Sequence, residues 1–330
     1  MLCLRELMKV VIVVPTIREQ NIKGFLAAWQ QEFASHSVIV VEDNPKRTFD
    51  VSGSNVKHFC WTDIDGELGH ASWIIPRQTD CIRSFGYYKA YASGAEVIVT
   101  LDDDCHPQGE SFISQHLDRL TQSVQGDAWV STGRGVRPRG MPYHNVTRTT
   151  ECVVNHGLWE GIPDFDAITQ LANVRFCQEF EPLDQVIPKG MFFPMCGMNL
   201  AFKRSLAPAM YFLLMGKDWG FDRFGDIWCG VFLKKICDHL GLAIRSGEPR
   251  VKHQRASNVW ANLGKELAGY EVNETLWRVV DSMLLTKLNI RDCYKELAQK
   301  LPFNGDYWDR LRVAMNIWAD LFSSQEDAPQ

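Results

Sequence analysis

The sequence lacks most of the short signatures that identify a protein at sight. No G-x-G-x-x-G follows its first apolar run, Lys9 to Thr16, so a conventional dinucleotide site is excluded. No G-x-x-x-x-G-K-[ST] occurs either, which removes the P-loop nucleotide hydrolases. The 10 cysteines are scattered, form no C-x-x-C pair and have no histidines at zinc-finger spacing. Most of them read as small buried thiols. No window approaches the ~18–20 apolar residues of a membrane span. Positive charge is not in excess: the net charge is −5, which argues against broad nucleic-acid binding but leaves room for a local phosphate pocket. The opening Met1 to Lys9 is too short and too charged, at Arg5 and Glu6, for a secretory leader. Repeats and low-complexity tracts are absent. These absences lead to the expectation of a cytoplasmic globular protein.

What is present is 330 residues, 45% hydrophobic and 23% charged, enough for one large α/β domain carrying a helical appendage. Lys9 to Thr16, Ser37 to Asn44 and Val97 to Leu101 are β-branched runs that fit strands buried on both faces. Val56 to Trp61 is a shorter strand candidate. Phe25, Leu26, Trp29 and Phe33 fall at helical spacing, and Asp80 to Ala92 and Ser111 to Val124 also suit helices. The order β-α-β-β-α-β over the first ~105 residues is that of a doubly wound nucleotide-binding half. Ser131 to Tyr143 reads as a basic loop with Arg134, Arg137 and Arg139, open to phosphate binding or to solvent. His156 to Asp166 reads as a second loop. From Glu271 the pattern is helical, with a break at Leu301-Pro302 and a last amphipathic helix through Trp308, Leu311, Ala314, Trp318 and Leu321. The tail Ser323 to Gln330 should fray. This divides the chain into 1–265 and a helical extension, 266–330, packed on it.

The chemistry concentrates where the third long apolar run ends, in Asp102-Asp103-Asp104-Cys105. Three adjacent carboxylates repel one another, and no neighbour in sequence offsets them. At the carboxyl end of a parallel strand they stand where open α/β sheets bind ligands. Hard oxygen donors there suit Mg²⁺ or Mn²⁺ shared with substrate phosphates. If the segment stays extended, Asp102 and Asp104 share one side and Asp103 the other. A solvated polar turn is the competing reading.

Further segments carry a resemblance. His156-Gly-Leu-Trp159, Ile162-Pro-Asp-Phe-Asp-Ala167, Ile187-Pro-Lys-Gly190, Phe193-Pro-Met-Cys-Gly-Met-Asn-Leu-Ala-Phe202, Ile236-Cys-Asp-His-Leu-Gly-Leu242 and Ala256-Ser-Asn258 resemble the reversibly glycosylated polypeptides, also known as UDP-arabinopyranose mutases. The likeness runs over roughly residues 9 to 320, and the Phe193–Phe202 block is the most specific part. It implies a GT-A-like fold: a mixed, mainly parallel sheet flanked by helices. It also implies a UDP-sugar substrate, Mn²⁺ or Mg²⁺, interconversion of pyranose and furanose forms of UDP-arabinose, self-glycosylation on an arginine, and homo- or hetero-oligomers.

Carried over residue by residue, the resemblance makes Asp102 and Asp104 metal ligands, with Asp102 and Asp103 also facing substrate. Glu42 and Asp43, at the second strand's end, become uridine or ribose contacts, with a turn cap as the alternative. Arg83, in Arg83-Ser-Phe-Gly86, either contacts the nucleotide or pairs with Asp102. Arg148 is the best match for the glycosylated arginine, although its spacing to His156 is one residue short. It needs a carboxylate such as Asp164, Asp166 or Asp226, because a guanidinium is a poor nucleophile; a surface cation is the alternative. Asp226 is read as an acid near the acceptor, next to Gly225 where the family commonly has a second aspartate. His253 is read as a late metal or phosphate ligand, Lys189 as a phosphate or sugar contact, and His239 as a satisfied core histidine. An ordinary metal-dependent glycosyltransferase and a non-catalytic partner subunit stand as alternatives.

Overall fold

The computed structural model describes residues 8–322, apart from 52, 131–136, 163, 173–183 and 255–257. The first half of the basic loop, Pro163, Ala256, Ser257 and the tail 323–330 therefore lie outside the described residues. The β-branched runs form the centre of a nine-stranded sheet. Its strands are β1 (Val10–Thr16), β2 (Ser37–Glu42), β3 (Val56–Phe59), β4 (Val97–Leu101), β5 (Cys105–Pro107), β8 (Cys152–Gly161), β9 (Gln185–Val186), β10 (Asn199–Lys203) and β11 (Ala243–His253). The order is β3-β2-β1-β4-β10-β8-β11-β5, with β9 also on β11. β1 to β4 run parallel, β10 runs against both β4 and β8, and β8 is parallel to β11. Six strands therefore point one way, and the sheet is mixed but mainly parallel in direction. A separate hairpin pairs β6 (Val124–Asp127) with β7 (Thr147–Thr150).

Period-two alternation gives each buried strand two apolar faces, and each face is covered. Val10, Ile12 and Val14 pack with Phe25 and Trp29 around helix α1 (Glu19–Ala28) and with α4 (Phe112–Thr121). Val11 and Val13 face the opposite layer. That layer contains α3 (Arg83–Ala92), α6 (Gly225–Leu240), α9 (Ile290–Lys300) and α10 (Asp306–Asp320). In α10, Trp318 stacks on Tyr211 at 5.3 Å and its Nε1 donates to the Ala207 carbonyl at 3.1 Å. The expected break between residues 265 and 266 falls inside α7 (Val259–Glu266), and residues on both sides of it share one apolar core. α8 (Gly269–Ser282) follows, and the short α5 (Ala167–Ala172) lies between β8 and β9.

Several local expectations change. The segment read as a loop from His156 is strand as far as Gly161, because β10 and β11 supply ladders on both sides from remote sequence. α2 (Trp61–Leu68) was not visible in the sequence; eight residues with one fully buried apolar side chain, Ile64, give little periodicity to read. His239 is exposed, not core: α6 buries its Phe232, Leu233 and Ile236 face, while the His239 ring reaches the Lys287 carbonyl at 2.8 Å.

Candidate active site

Because β1, β2, β4, β8 and β11 share a direction, their carboxyl ends meet at one edge of the sheet, and the acidic segment stands there. Leu101 is the last strand residue; the chain then turns, with Cys105 N donating to the Asp102 carbonyl at 3.1 Å. The three aspartates are therefore not on an extended segment, and their side chains fan out. All three line a cavity of about 730 Å³.

Two arginines from elsewhere offset the charge that sequence neighbours leave unbalanced. Arg18, two residues beyond β1, pairs with Asp103 and reaches Asp104 at 3.5 Å. Thr16 Oγ1 also donates to Asp103 at 2.6 Å. Arg83 pairs with Asp102, one of the two roles the sequence left open. It also donates to Thr100 Oγ1 at 3.0 Å and to the Gly197 carbonyl at 2.6 Å. Two glycines make this placement feasible. A Cβ on Gly86 would stand 2.3 Å from Val13 Cγ1, so glycine lets α3 approach β1 closely. A Cβ on Gly197 would stand 3.0 Å from Arg83 Nη1.

The environment separates the three carboxyls. Burial pushes Asp102 up, but the charge and hydrogen bond of Arg83 more than offset this and hold it below the usual range. Burial, then the Asp102 charge, raises Asp104 to about 6. Burial also raises Asp103, against the opposing hydrogen bonds of Arg18 and Thr16.

His253 ends β11 beside Asp104. Its Nδ1 lies 2.7 Å from the Ile162 carbonyl, which can only accept, so Nδ1 carries the proton. In the neutral ring Nε2 then presents a lone pair 3.8 Å from Asp104 Oδ1, too far for a hydrogen bond. Among the described residues no group of three or more His, Cys, Asp or Glu side chains is arranged to hold a metal ion unaided. The donor chemistry of Asp104 and His253 still fits a divalent ion that takes its other ligands from phosphate.

Asp43 lines the same cavity, its carboxylate held by Trp61 Nε1 at 2.7 Å and Thr79 N at 2.8 Å. Glu42 does not. It is fully buried beneath the strand end and occupied by Thr48 and Asn44, with His58 Nε2 at 2.8 Å. Such a position fixes the loop after β2 rather than meeting a ligand.

A second cavity of about 200 Å³ adjoins the first; Asp80, Arg83, Asp102, Asp164, Met198 and Arg223 line both. Asp226, in the first turn of α6, faces it. Its oxygens accept from Gly197 N at 3.1 Å and Ile227 N at 2.9 Å. Burial, then the charges of Asp80 and Asp164, raises its carboxyl to about 7. Cys196 donates to Asp164 at 2.7 Å, and burial keeps that thiol protonated. Gly225 is tightly enclosed: a Cβ there would meet the Phe212 carbonyl at 2.4 Å and Cys81 Sγ at 2.5 Å.

Two expected site residues lie elsewhere. Lys189 is exposed in the turn after β9 and lines neither cavity. Arg148 is exposed on β7, paired opposite Gly126. β7 leads into the start of β8, whose far end carries Gly161 beside His253. Ten extended residues place those ends about 30 Å apart. Asp164, Asp166 and Asp226 all belong to the small cavity, not to the surroundings of Arg148. Nothing local in the sequence pointed to Arg223 or Glu266, which emerge only from tertiary contact. Arg18 had a weak signal, a cation just past a strand end.

The fold and the acidic, two-part cavity define a mixed α/β protein with a candidate ligand site at the carboxyl ends of its parallel strands. The family profile described as "Reversibly glycosylated polypeptide" matches residues 6–327. The chain belongs to that family. It is 36% identical to UDP-arabinopyranose mutase 1 of Arabidopsis thaliana over 94% of this chain and 90% of that protein. The probable UDP-arabinopyranose mutase 2 of Solanum tuberosum is also 36% identical, over 94% of this chain and 88% of that one. UDP-arabinopyranose mutase 1 of Oryza sativa subsp. japonica is 34% identical, over 94% and 89%.

Proposed function

We propose that this chain is a nucleotide-sugar mutase that interconverts the pyranose and furanose forms of a UDP-sugar, UDP-L-arabinose in the first instance. The observation that supports it most is the joining of a large acidic cavity to a small one through Asp102 and Arg223, in a chain 34–36% identical to named mutases. The nucleotide occupies the large cavity, with Asp43 toward its ribose or base. Asp104 and His253, aided by Asp102, would hold Mn²⁺ or Mg²⁺, which when bound offsets charge on the diphosphate.

The sugar occupies the small cavity. The reaction exchanges a C1–O5 ring bond for a C1–O4 ring bond, so one proton leaves O4 and one arrives at O5. Asp226, with a carboxyl near 7, suits both halves of that exchange. It starts protonated, gives its proton to O5 as the pyranose ring opens, and recovers one from O4 as the furanose closes.

Self-glycosylation is the second part of the reading. With Arg148 at the opposite sheet edge, its sugar must come from the cavity of another copy, which makes the reaction intermolecular and calls for at least transient association. Incubation with UDP-arabinopyranose and Mn²⁺, followed by NMR of the products, tests the function. A furanose nucleotide formed without added acceptor supports it, whereas transfer only to an added acceptor makes the chain an ordinary glycosyltransferase. Location in the cytoplasm belongs to the same reading; no helix among the described residues is long and apolar enough to cross a membrane.

A further inference from the structure

Arg83 and Arg223 are the two cationic side chains that line both cavities. Arg83 is fully committed. It is 2% exposed, and its nitrogens are taken up by Asp102, Thr100 Oγ1 and the carbonyls of Asp80 and Gly197. Arg18 is bound to Asp103 and Asp104. Arg223 differs. Among the described residues only its Nε has a partner, Glu266 Oε1 at 2.8 Å, so both Nη groups are left to the cavity. Its backbone sits at φ 65°, a left-handed position that turns the side chain out of the run into α6.

Glu266 is buried and fully employed. Besides Arg223, it accepts from Ala167 N at 2.7 Å and from Tyr270 Oη at 2.6 Å. One carboxylate at the end of α7 thus joins the cavity arginine, the stretch after Asp164 and the helix that follows. The neighbouring Lys265 approaches Asp222 at 3.5 Å, which braces the same turn from the other side.

We infer that Arg223 holds the β-phosphate of the nucleotide sugar through its two Nη groups, and that Glu266 is the positioning residue that aims it. The location follows from the shared walls: Arg223 stands where the large cavity meets the small one, at the junction of diphosphate and sugar. The wall there is acidic, with Asp80, Asp102 and Asp164 in both cavities, and would repel a diphosphate without an uncommitted cation. A planar guanidinium fixed through Nε presents a two-pronged donor matched to phosphate oxygens. When the sugar is passed to an acceptor arginine, the C1–O bond to the β-phosphate breaks as the arginine nitrogen bonds to C1 and sheds its proton; the electron pair of the broken bond passes to the β-phosphate oxygen, where these donors meet the added charge. The inference rests on the UDP-sugar reading above.

Calorimetric titration with UDP and with UMP, at a fixed Mn²⁺ concentration, separates the two. Charge-assisted hydrogen bonds of this kind correspond to about 10- to 100-fold in affinity. Arg223→Gln should lose about that much UDP affinity while UMP affinity stays within about threefold. Glu266→Gln should move the UDP-to-UMP ratio the same way by a smaller factor, and Arg223→Lys should recover part of the loss. Thermal melting precedes each titration; if Arg223→Gln does not melt cooperatively, Arg223→Lys takes its place, with a smaller fall in the ratio expected. A ratio unchanged in the Arg223 variant overturns the inference, as does an equal loss of UDP and UMP affinity. A wild-type chain that binds neither nucleotide refutes the UDP-sugar reading instead.

Discussion

Asp226→Asn isolates the acid–base role from the rest of the cavity. The native carboxyl titrates near 7, raised by burial and by Asp80 and Asp164. Between pH 6 and pH 8 its protonated share falls from about nine tenths to about one tenth. If the protonated form begins the ring opening, turnover should fall about tenfold across that range. Asn keeps the shape and one acceptor for Gly197 N or Ile227 N but can neither give nor take the proton. Its turnover should drop by about 10²–10⁴ and lose the inflection near 7, with the Michaelis constant little changed. Stability should move the other way. An acid whose folded pKa lies above its unfolded value binds more protons when folded, so stability falls as pH rises from the ordinary carboxylate range through 7. The ionised form is therefore a cost at pH 8 that Asn removes, worth on the order of 1 kcal/mol after screening in the open cavity. Stopped assays from pH 5.5 to 8.5 with matched thermal melts measure both. A variant that keeps the native pH profile, or a native rate that rises through pH 7, would sink the assignment.

Three further outcomes follow from the geometry. Asp104→Asn should reduce UDP binding in Mn²⁺ to the level seen in chelator, by calorimetry; an undiminished Mn²⁺ effect removes Asp104 from the metal reading. Mixing Arg148→Lys, whose cavity is intact, with Asp104→Asn, whose arginine is intact, should label the Asp104→Asn chain from radioactive UDP-sugar, whereas neither variant labels alone. Labelling of the Arg148→Lys chain would move the acceptor elsewhere. Gly86→Ala should destabilise the protein by about 1–3 kcal/mol in denaturant titration, because its Cβ would meet Val13 Cγ1 at 2.3 Å. It should also weaken UDP binding, since α3 carries Arg83.

The sheet centre was legible because β1, β2 and β4 are strands buried on both faces, and continuous β-branched runs report that environment directly. β8 was not, because its Gly157, Trp159 and Glu160 fit no simple alternation; its strand state is imposed by β10 and β11. The same division holds in the site. Asp102 to Asp104 announce themselves as charge at the end of an apolar run. Asp226 had to be inferred from the resemblance, and the structure places it in a cavity with a raised carboxyl. Glu42 looked equivalent to Asp43 in sequence, yet one faces inward and the other toward the cavity. Arg223 and Glu266 are 43 residues apart, and nothing local ties either to a ligand. Arg148 was chosen by motif spacing, which says nothing about the sheet edge at which a residue emerges.

The pairing of β11 with β5 and β8 carries a consequence for biogenesis. Cys105, next to Asp104, pairs in the sheet with His253, so Asp104 and His253, the two halves of the metal reading, lie 149 residues apart along the chain. Glu266 comes later still, and Trp318 locks the last helix onto the layer behind the sheet. A chain still emerging from the ribosome can form β1 to β4 early, but it has no complete cavity until about four fifths of it has been made. Ligand therefore cannot guide the early stages of folding. It can only select chains already closed, and a cell that needs this protein promptly must wait for the slow, long-range closure of β11.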